Sequence, residues 1–343
     1  GGQLPGSVIK MLVGMAALEE GKVSVGETIL DRHRLRPSAP SCWSTRGHGR
    51  VNIMDALKVS CNYYFTAIGD RMDIWDFHKW AEAYGMHGPT GLELLTIDGK
   101  TDKNVVANPD VVEEIRRNNA FYTTKSIMRN KYGVELTDEQ AWALVDIDRQ
   151  YSQLLQYLRD QGIYDEQDSA AHDAANDILS RFWDGRWTDW EYLRVFIGQS
   201  ATSVSPLAVT KYIAALVNGN RVMDTHVLKQ VRSPEGRVIH ETRPEYTELD
   251  VHEKNIAAIK EGMRRVVYES GGTARSAFVD LDPSITVGGK TGTAQTRPGI
   301  VERNTGWFTS FTPYEDPEIA VVVVVPNGKT AGNHRQAYHR RVL

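Results

Sequence analysis

The chain has 343 residues, 41% hydrophobic and 24% charged, with a net charge of −4. That length exceeds what one compact core usually needs, so one large domain or two lobes is expected of an otherwise ordinary globular composition. No Lys/Arg block or basic stripe supports nucleic-acid binding, and no run approaches the roughly 18 apolar residues of a membrane span.

The chain opens abruptly at Gly1-Gly2-Gln3 with no signal peptide, as an excised piece of a longer protein would, so an anchor is expected upstream. Pro5-Gly6 then turn into an apolar helix over residues 7–20. Val8, Ile9, Leu12, Val13, Met15, Ala16 and Leu18 cover most of its circumference, which predicts a buried helix with Ser7 at its N-terminus and Gly21 as its stop. Residues 31–50 read as loop, 52–69 as a second helix and Trp75 to Tyr84 as a short third. Residues 100–190 are polar and helical by period, an inserted helical lobe whose own core is expected around Trp142, Trp183, Trp187 and Trp190. A further apolar helix over 204–218 starts at Ser205-Pro206. Val222 to Val231 with Val238-Ile239 read as a side hairpin. Ser284 to Gly288, Trp307 to Thr312 and Ile319 to Val325 read as strands, with Trp307 beside the cleft. Helices first and strands last predict an α+β fold, an antiparallel β-sheet flanked by helices, with domain residues 1–99 and 191–343 around the lobe.

Three short motifs follow one another: Ser7-Val8-Ile9-Lys10, Ser60-Cys61-Asn62 and Lys290-Thr291-Gly292-Thr293. Each alone is weak, since a capping Ser, a helix-surface Asn or a Lys-Thr-Gly turn is ordinary. Their order and context, a buried helix after the first and a strand leading into the last, raise them together. Ser7 and Lys10 are three apart and share a helix face. A serine nucleophile needs a base, and a lysine serves only when neutral, which burial and the second cation Lys290 promote. Ser60 is then a proton relay to the leaving nitrogen, and Asn62 holds a substrate amide and orients Lys10. Gly292 lets a substrate backbone approach the strand, and Thr291 and Thr293 offer hydroxyls to a substrate carboxylate. The backbone N–H groups of Ser7 and Thr293 would form an oxyanion hole.

Two cysteines exclude a disulfide scaffold. Cys42, His48 and Cys61, spaced six and thirteen apart, with Asp31 or His33 upstream, would suit zinc. A Cys42–Cys61 disulfide and two unrelated thiols remain open beside it.

These residues resemble class B penicillin-binding proteins, over roughly residues 4–99 and 192–325. Leu4 to Lys10 with Ala16 to Gly21 is similar to the family's nucleophile helix, and Gly47 to Val51 ahead of Ser60 to the elongation-type members, often called penicillin-binding protein 2. Gly198-Gln199 through Leu207, Gly289 to Gln295 and Trp307-Phe308 complete the likeness. The resemblance implies the fold shared by serine β-lactamases and transpeptidases. It implies a D,D-transpeptidase that cross-links peptidoglycan stem peptides through a Ser7 acyl-enzyme and is acylated by β-lactam antibiotics. It places the domain at the extracytoplasmic face of the cell membrane, beside a membrane glycosyltransferase of the elongation machinery. Some elongation-type relatives carry zinc at this loop, which makes Asp31 the fourth ligand with Cys42, His48 and Cys61, a structural site. Val-Ile replaces the more usual Thr-Phe inside the first motif, the lobe is larger than the family implies, and strands before the nucleophile helix and a closing helix are missing. A serine β-lactamase, which needs a second base to hydrolyse its acyl-enzyme, and a non-catalytic β-lactam sensor or scaffold are the rival readings.

Overall fold

Backbone dihedrals and hydrogen bonding in the computed structural model describe residues 2–95, 99–165, 167–182, 185–295 and 303–328. The chain divides into two units, residues 1–107 with 189–343, and residues 108–188. The expected lobe edges at 100 and 190 thus fall a few residues outside the second unit. Asn104 and Val105 bridge to Gly88 and Ser203 and so keep this stretch with the first unit. The Asn108 side chain caps the next helix.

The segment holding Ser7 starts as a 3₁₀ turn, Gly6–Ile9, and continues as α1, Lys10–Glu19. Every residue of α1 from Lys10 to Leu18 is buried, as its all-round apolar sequence requires. A short antiparallel pair, β1 (Ile29–Asp31) and β2 (Gly49–Val51), frames the expected loop. The second expected helix is two, α2 (Ile53–Lys58) and α3 (Asn62–Gly69), broken at Val59–Cys61. Ser60 sits at the break with φ 54, a left-handed conformation costly for a residue with a Cβ. Helix α4 spans Ile74–Ala83.

In the second unit, α5 (Pro109–Tyr132), α6 (Asp138–Ile147), α7 (Tyr151–Asp160) and α8 (Ser169–Arg181) enclose their own core. That core includes Phe121, Met128, Leu144, Leu154, Leu158, Ile178 and Phe182, with Trp142 partly buried against it. Trp142 stacks on Phe121, Trp190 is 43% exposed and belongs to the first unit, and Trp183 lies outside the described residues.

Back in the first unit, α9 (Asp189–Val195) leads to α10 (Pro206–Val217), whose first turn Ser205 caps. Four short strands follow as two pairs: β3 (Arg221–Met223) with β6 (Tyr246–Glu248), and β4 (Gln230–Arg232) with β5 (Val238–Glu241). Helix α11 (Glu253–Tyr268) precedes the main sheet. That sheet is antiparallel, β7 (Gly288–Ala294), β8 (Thr305–Thr312) and β9 (Ile319–Val325), in chain order with β7 at an edge. Helix α11 packs on β7, and α10 on β8 and β9. This is the expected α+β arrangement. One strand is displaced from expectation: Lys290-Thr291-Gly292 lies inside β7, not after it. Its three glycines weaken the strand signal, and the seven-residue ladder with β8 imposes the extended form. No helix among the described residues is long and apolar enough to cross a membrane.

Candidate active site

Four anchors hold the residues on either side of Ser7 in place. Gln3 bridges to Val204, and the Gly6 N–H donates to the Gly198 carbonyl at 2.9 Å. The Trp307 indole N–H, fully buried on β8, donates to the Leu4 carbonyl at 2.8 Å, and the Tyr212 hydroxyl on α10 donates to the Val8 carbonyl. Trp307 is therefore a buried strut that holds the turn carrying Ser7.

The turn abuts β7. A Cβ on Gly292 would stand 2.9 Å from Val8 Cγ1 and 3.2 Å from the Pro5 carbonyl. Glycine is needed at 292 so that the nucleophile turn can approach the strand, a use the sequence reading had assigned to substrate. The same approach sets Gly6, next to the half-buried Ser7, against Thr293: a Cβ on Gly6 would stand 2.6 Å from the Thr293 carbonyl oxygen. Ser7 in the 3₁₀ turn and Lys10 at the start of α1 are three apart, a spacing that puts them on one face.

Lys10 and Lys290 are both fully buried. Lys10 Nζ donates to Asn62 Oδ1 at 2.7 Å, to the Ser60 carbonyl at 2.9 Å and to Ser60 Oγ at 3.3 Å. Lys290 Nζ donates to the same Ser60 Oγ at 2.9 Å and to the Thr291 carbonyl at 2.8 Å. The helix break explains the geometry: the left-handed Ser60 turns both its carbonyl and its hydroxyl toward Lys10. Burial pulls Lys10 down to about 8, with the Cys61 and Cys42 thiols opposing that pull. Burial, then the charge of Lys10, holds Lys290 well below the ordinary lysine range. Two ammonium groups across one hydroxyl repel, and the repulsion lowers Lys290 rather than Lys10, the reverse of the expected direction. Asn62 is fixed at both ends, since its Nδ2 donates to the Ser41 carbonyl at 3.2 Å.

Asp31, Cys42, His48 and Cys61 converge beneath this centre, their ligand atoms all within 4.8 Å of one another. The two sulfurs are 3.9 Å apart, Cys42 Sγ is 3.4 Å from His48 Nδ1, and Asp31 Oδ2 is 3.2 Å from Cys61 Sγ and 2.8 Å from His48 Nδ1. Bonds of about 2.0–2.3 Å to one zinc ion put tetrahedral ligands roughly 3.3–3.8 Å apart, so the donor set fits with small adjustments. His33 is not in the group: its Nδ1 meets the Ser44 carbonyl, and only its backbone N–H reaches Asp31. Both cysteines are free thiols that share a hydrogen bond; it pulls Cys42 down to about 4 and pushes Cys61 well up. Cys61 also caps α3, its Sγ accepting from the Tyr64 N–H, so one side chain joins this cluster to the helix carrying Asn62.

One polar neighbour of the third motif has no sequence signal. Thr273 Oγ1 lies 2.6 Å from Thr291 Oγ1. Only the Gly271-Gly272 turn before it marks the place.

The chain matches the model of the penicillin binding protein transpeptidase domain over residues 3–146 and 141–343. It is 22% identical to the peptidoglycan D,D-transpeptidase MrdA of Haemophilus influenzae across 99% of this chain and 43% of that protein, so it spans under half the relative's length. In structure it is similar to Helicobacter pylori PBP2 solved in complex with MreC, with a TM-score of 0.64 and 19% identity over 99% of this chain and 48% of that one. It is also similar to penicillin-binding protein A from M. tuberculosis solved as a ceftriaxone acyl-enzyme, with a TM-score of 0.62 and 19% identity over 98% of this chain and 58% of that one.

Proposed function

The chain belongs to the penicillin-binding protein transpeptidase family, and on that premise we propose that it is the PBP2-like D,D-transpeptidase domain of a peptidoglycan-cross-linking enzyme, with Ser7 as nucleophile. The observation that carries the proposal is the pair of fully buried lysines, Lys10 and Lys290, meeting at one hydroxyl, Ser60 Oγ. No packing or solubility requirement explains two buried amines there, whereas activation of a serine does.

Neutral Lys10 takes the Ser7 proton as Ser7 Oγ attacks the carbonyl carbon of the penultimate D-alanine of a stem peptide. The carbonyl oxygen becomes an oxyanion facing the backbone N–H groups of Ser7 and Thr293. The C–N bond then breaks, and Lys10 returns its proton through Ser60 to the departing amine of the terminal D-alanine. An amine of a neighbouring stem peptide attacks the ester carbon, gives its proton to Lys10, and Ser7 recovers it as the ester C–O bond breaks. Lys290 biases Ser60 to donate toward Lys10 by occupying its oxygen. Thr291 and Thr293 take the terminal carboxylate, and Asn62 the amide before it. A β-lactam acylates Ser7 by the same attack, with ring opening in place of departure.

Zinc on Asp31, Cys42, His48 and Cys61 would be structural. Four protein ligands leave no position for a substrate, and the ion would brace the loop at 42–48 against the Ser60–Asn62 break. The family resemblance supports a location at the extracytoplasmic membrane face and a polytopic glycosyltransferase as partner.

The test is exchange chemistry. With a pentapeptide ending in D-Ala-D-Ala and isotopically labelled D-alanine, the chain is expected to incorporate label at the terminal position, and Ser7→Ala to lose it. Rapid nitrocefin turnover with release of D-alanine but no incorporation would identify a hydrolase instead.

A further inference from the structure

Thr273 stands outside all three motifs, on the turn that follows α11. Its hydroxyl oxygen is 2.6 Å from that of Thr291, close enough that one must donate to the other. The turn is built to put it there. Gly272 has no room for a side chain, since a Cβ would fall 2.5 Å from both the Arg265 and Val266 carbonyls. The Gly272 N–H donates to the Glu269 carbonyl, the Ala274 N–H to Val266, and the Thr273 N–H to the Lys58 carbonyl at 3.3 Å. Thr273 is thus pinned between α11 and the end of α2, with its hydroxyl aimed at the edge strand β7.

We propose that Thr273 is a positioning residue for carboxylate recognition: it donates to Thr291 Oγ1 and so leaves the Thr291 hydrogen for the carboxylate of the ligand. A hydroxyl carries one hydrogen and two lone pairs. With Thr273 as donor, the Thr291 oxygen is satisfied by acceptance and its hydrogen is free to point into the cleft. Without Thr273, Thr291 can rotate to other acceptors. The inference rests on the Ser7 acyl-enzyme reading above and assigns a residue to its substrate selectivity.

The experiment compares acylation rates by benzylpenicillin and by its methyl ester, which lacks the negative charge. Thr273→Val is expected to slow the acid about tenfold, the worth of one hydrogen bond to a charged group, and to leave the ester within twofold. Thr273→Ser, which keeps the hydroxyl, is expected to restore the acid rate. Equal slowing of acid and ester by Thr273→Val would overturn the proposal in favour of a purely structural turn. An unchanged acid rate would overturn it outright. Failure of the wild-type chain to form any Ser7 adduct would instead remove the acyl-enzyme reading, and this proposal with it.

Discussion

Lys10→Met is expected to lower the rate of Ser7 acylation by benzylpenicillin about 10²–10⁴-fold, the usual worth of a positioned general base. Methionine matches the length and fills the fully buried space, so the change removes the amine and little else. The Ser60 carbonyl and Asn62 Oδ1 lose a donor, while Ser60 Oγ keeps Lys290. Orphaned acceptors cost about 1–3 kcal/mol of stability, a loss that thermal melting separates from the rate effect. The wild-type pH profile carries the same signature. Lys10 can accept a proton only when deprotonated, and its midpoint is drawn down to about 8 by burial. Acylation therefore rises with pH toward a plateau above that value and falls about tenfold for each unit below it. The limb should vanish in Lys10→Met. A limb that survives the substitution would assign it to another group.

If the proposed zinc is bound, stripping it with a chelator, or replacing the proposed ligand His48 with Ala, is expected to lower the melting temperature on the order of 5–10 °C and to depress acylation at the same time. An ion held at about a thousandfold excess over its Kd stabilises by roughly 4 kcal/mol, and a domain of this size loses a few degrees for each of them. The activity follows from connectivity and not from chemistry at the ion. Cys61 lies between Ser60 and Asn62 and caps the helix that starts at Asn62, so a released Cys61 lets both polar groups drift from Lys10. Elemental analysis should return one zinc for each chain and none for Cys42→Ser with Cys61→Ser. An oxidised chain with a Cys42–Cys61 bond and no metal would contradict the assignment; the sulfurs, at 3.9 Å, must close by about half that distance to form one.

The proposed catalytic residues were legible because their spacing is itself the signal: Ser7 with Lys10, Ser60 with Asn62, and Lys290 with Thr291 stand in order on a chain with a buried first helix. Three of the four proposed zinc donors were legible for a related reason, since two cysteines and a histidine are rare enough to be noticed; Asp31 was chosen over His33 only through the family resemblance. The backbone that aims them was not. Residues 52–69 have no proline or interior glycine to announce a break. The break comes from Ser60 in the left-handed region and from Cys61 as a helix cap, a role in which sulfur is an unusual acceptor. Strand β7 is Gly-Gly-Lys-Thr-Gly-Thr-Ala, with no apolar alternation to read, and it is extended because β8 pairs with it along its whole length. Thr273 was invisible for the same reason: its partner Thr291 is eighteen residues away and only the fold brings them together. In the lobe, large aromatic residues were weighted too heavily. Aliphatic residues on facing helices, Leu144, Leu154, Leu158 and Ile178 among them, form most of its interior.

The acylated serine is tested most directly by intact mass after incubation with benzylpenicillin, on the wild-type chain and on Ser7→Ala. A single stable adduct of one penicillin on the wild type, mapped to the peptide holding Ser7 and absent from the variant, is the result the Lys10–Ser60–Lys290 geometry requires. An adduct that persists in Ser7→Ala, or a wild-type chain that never acquires one, would contradict it.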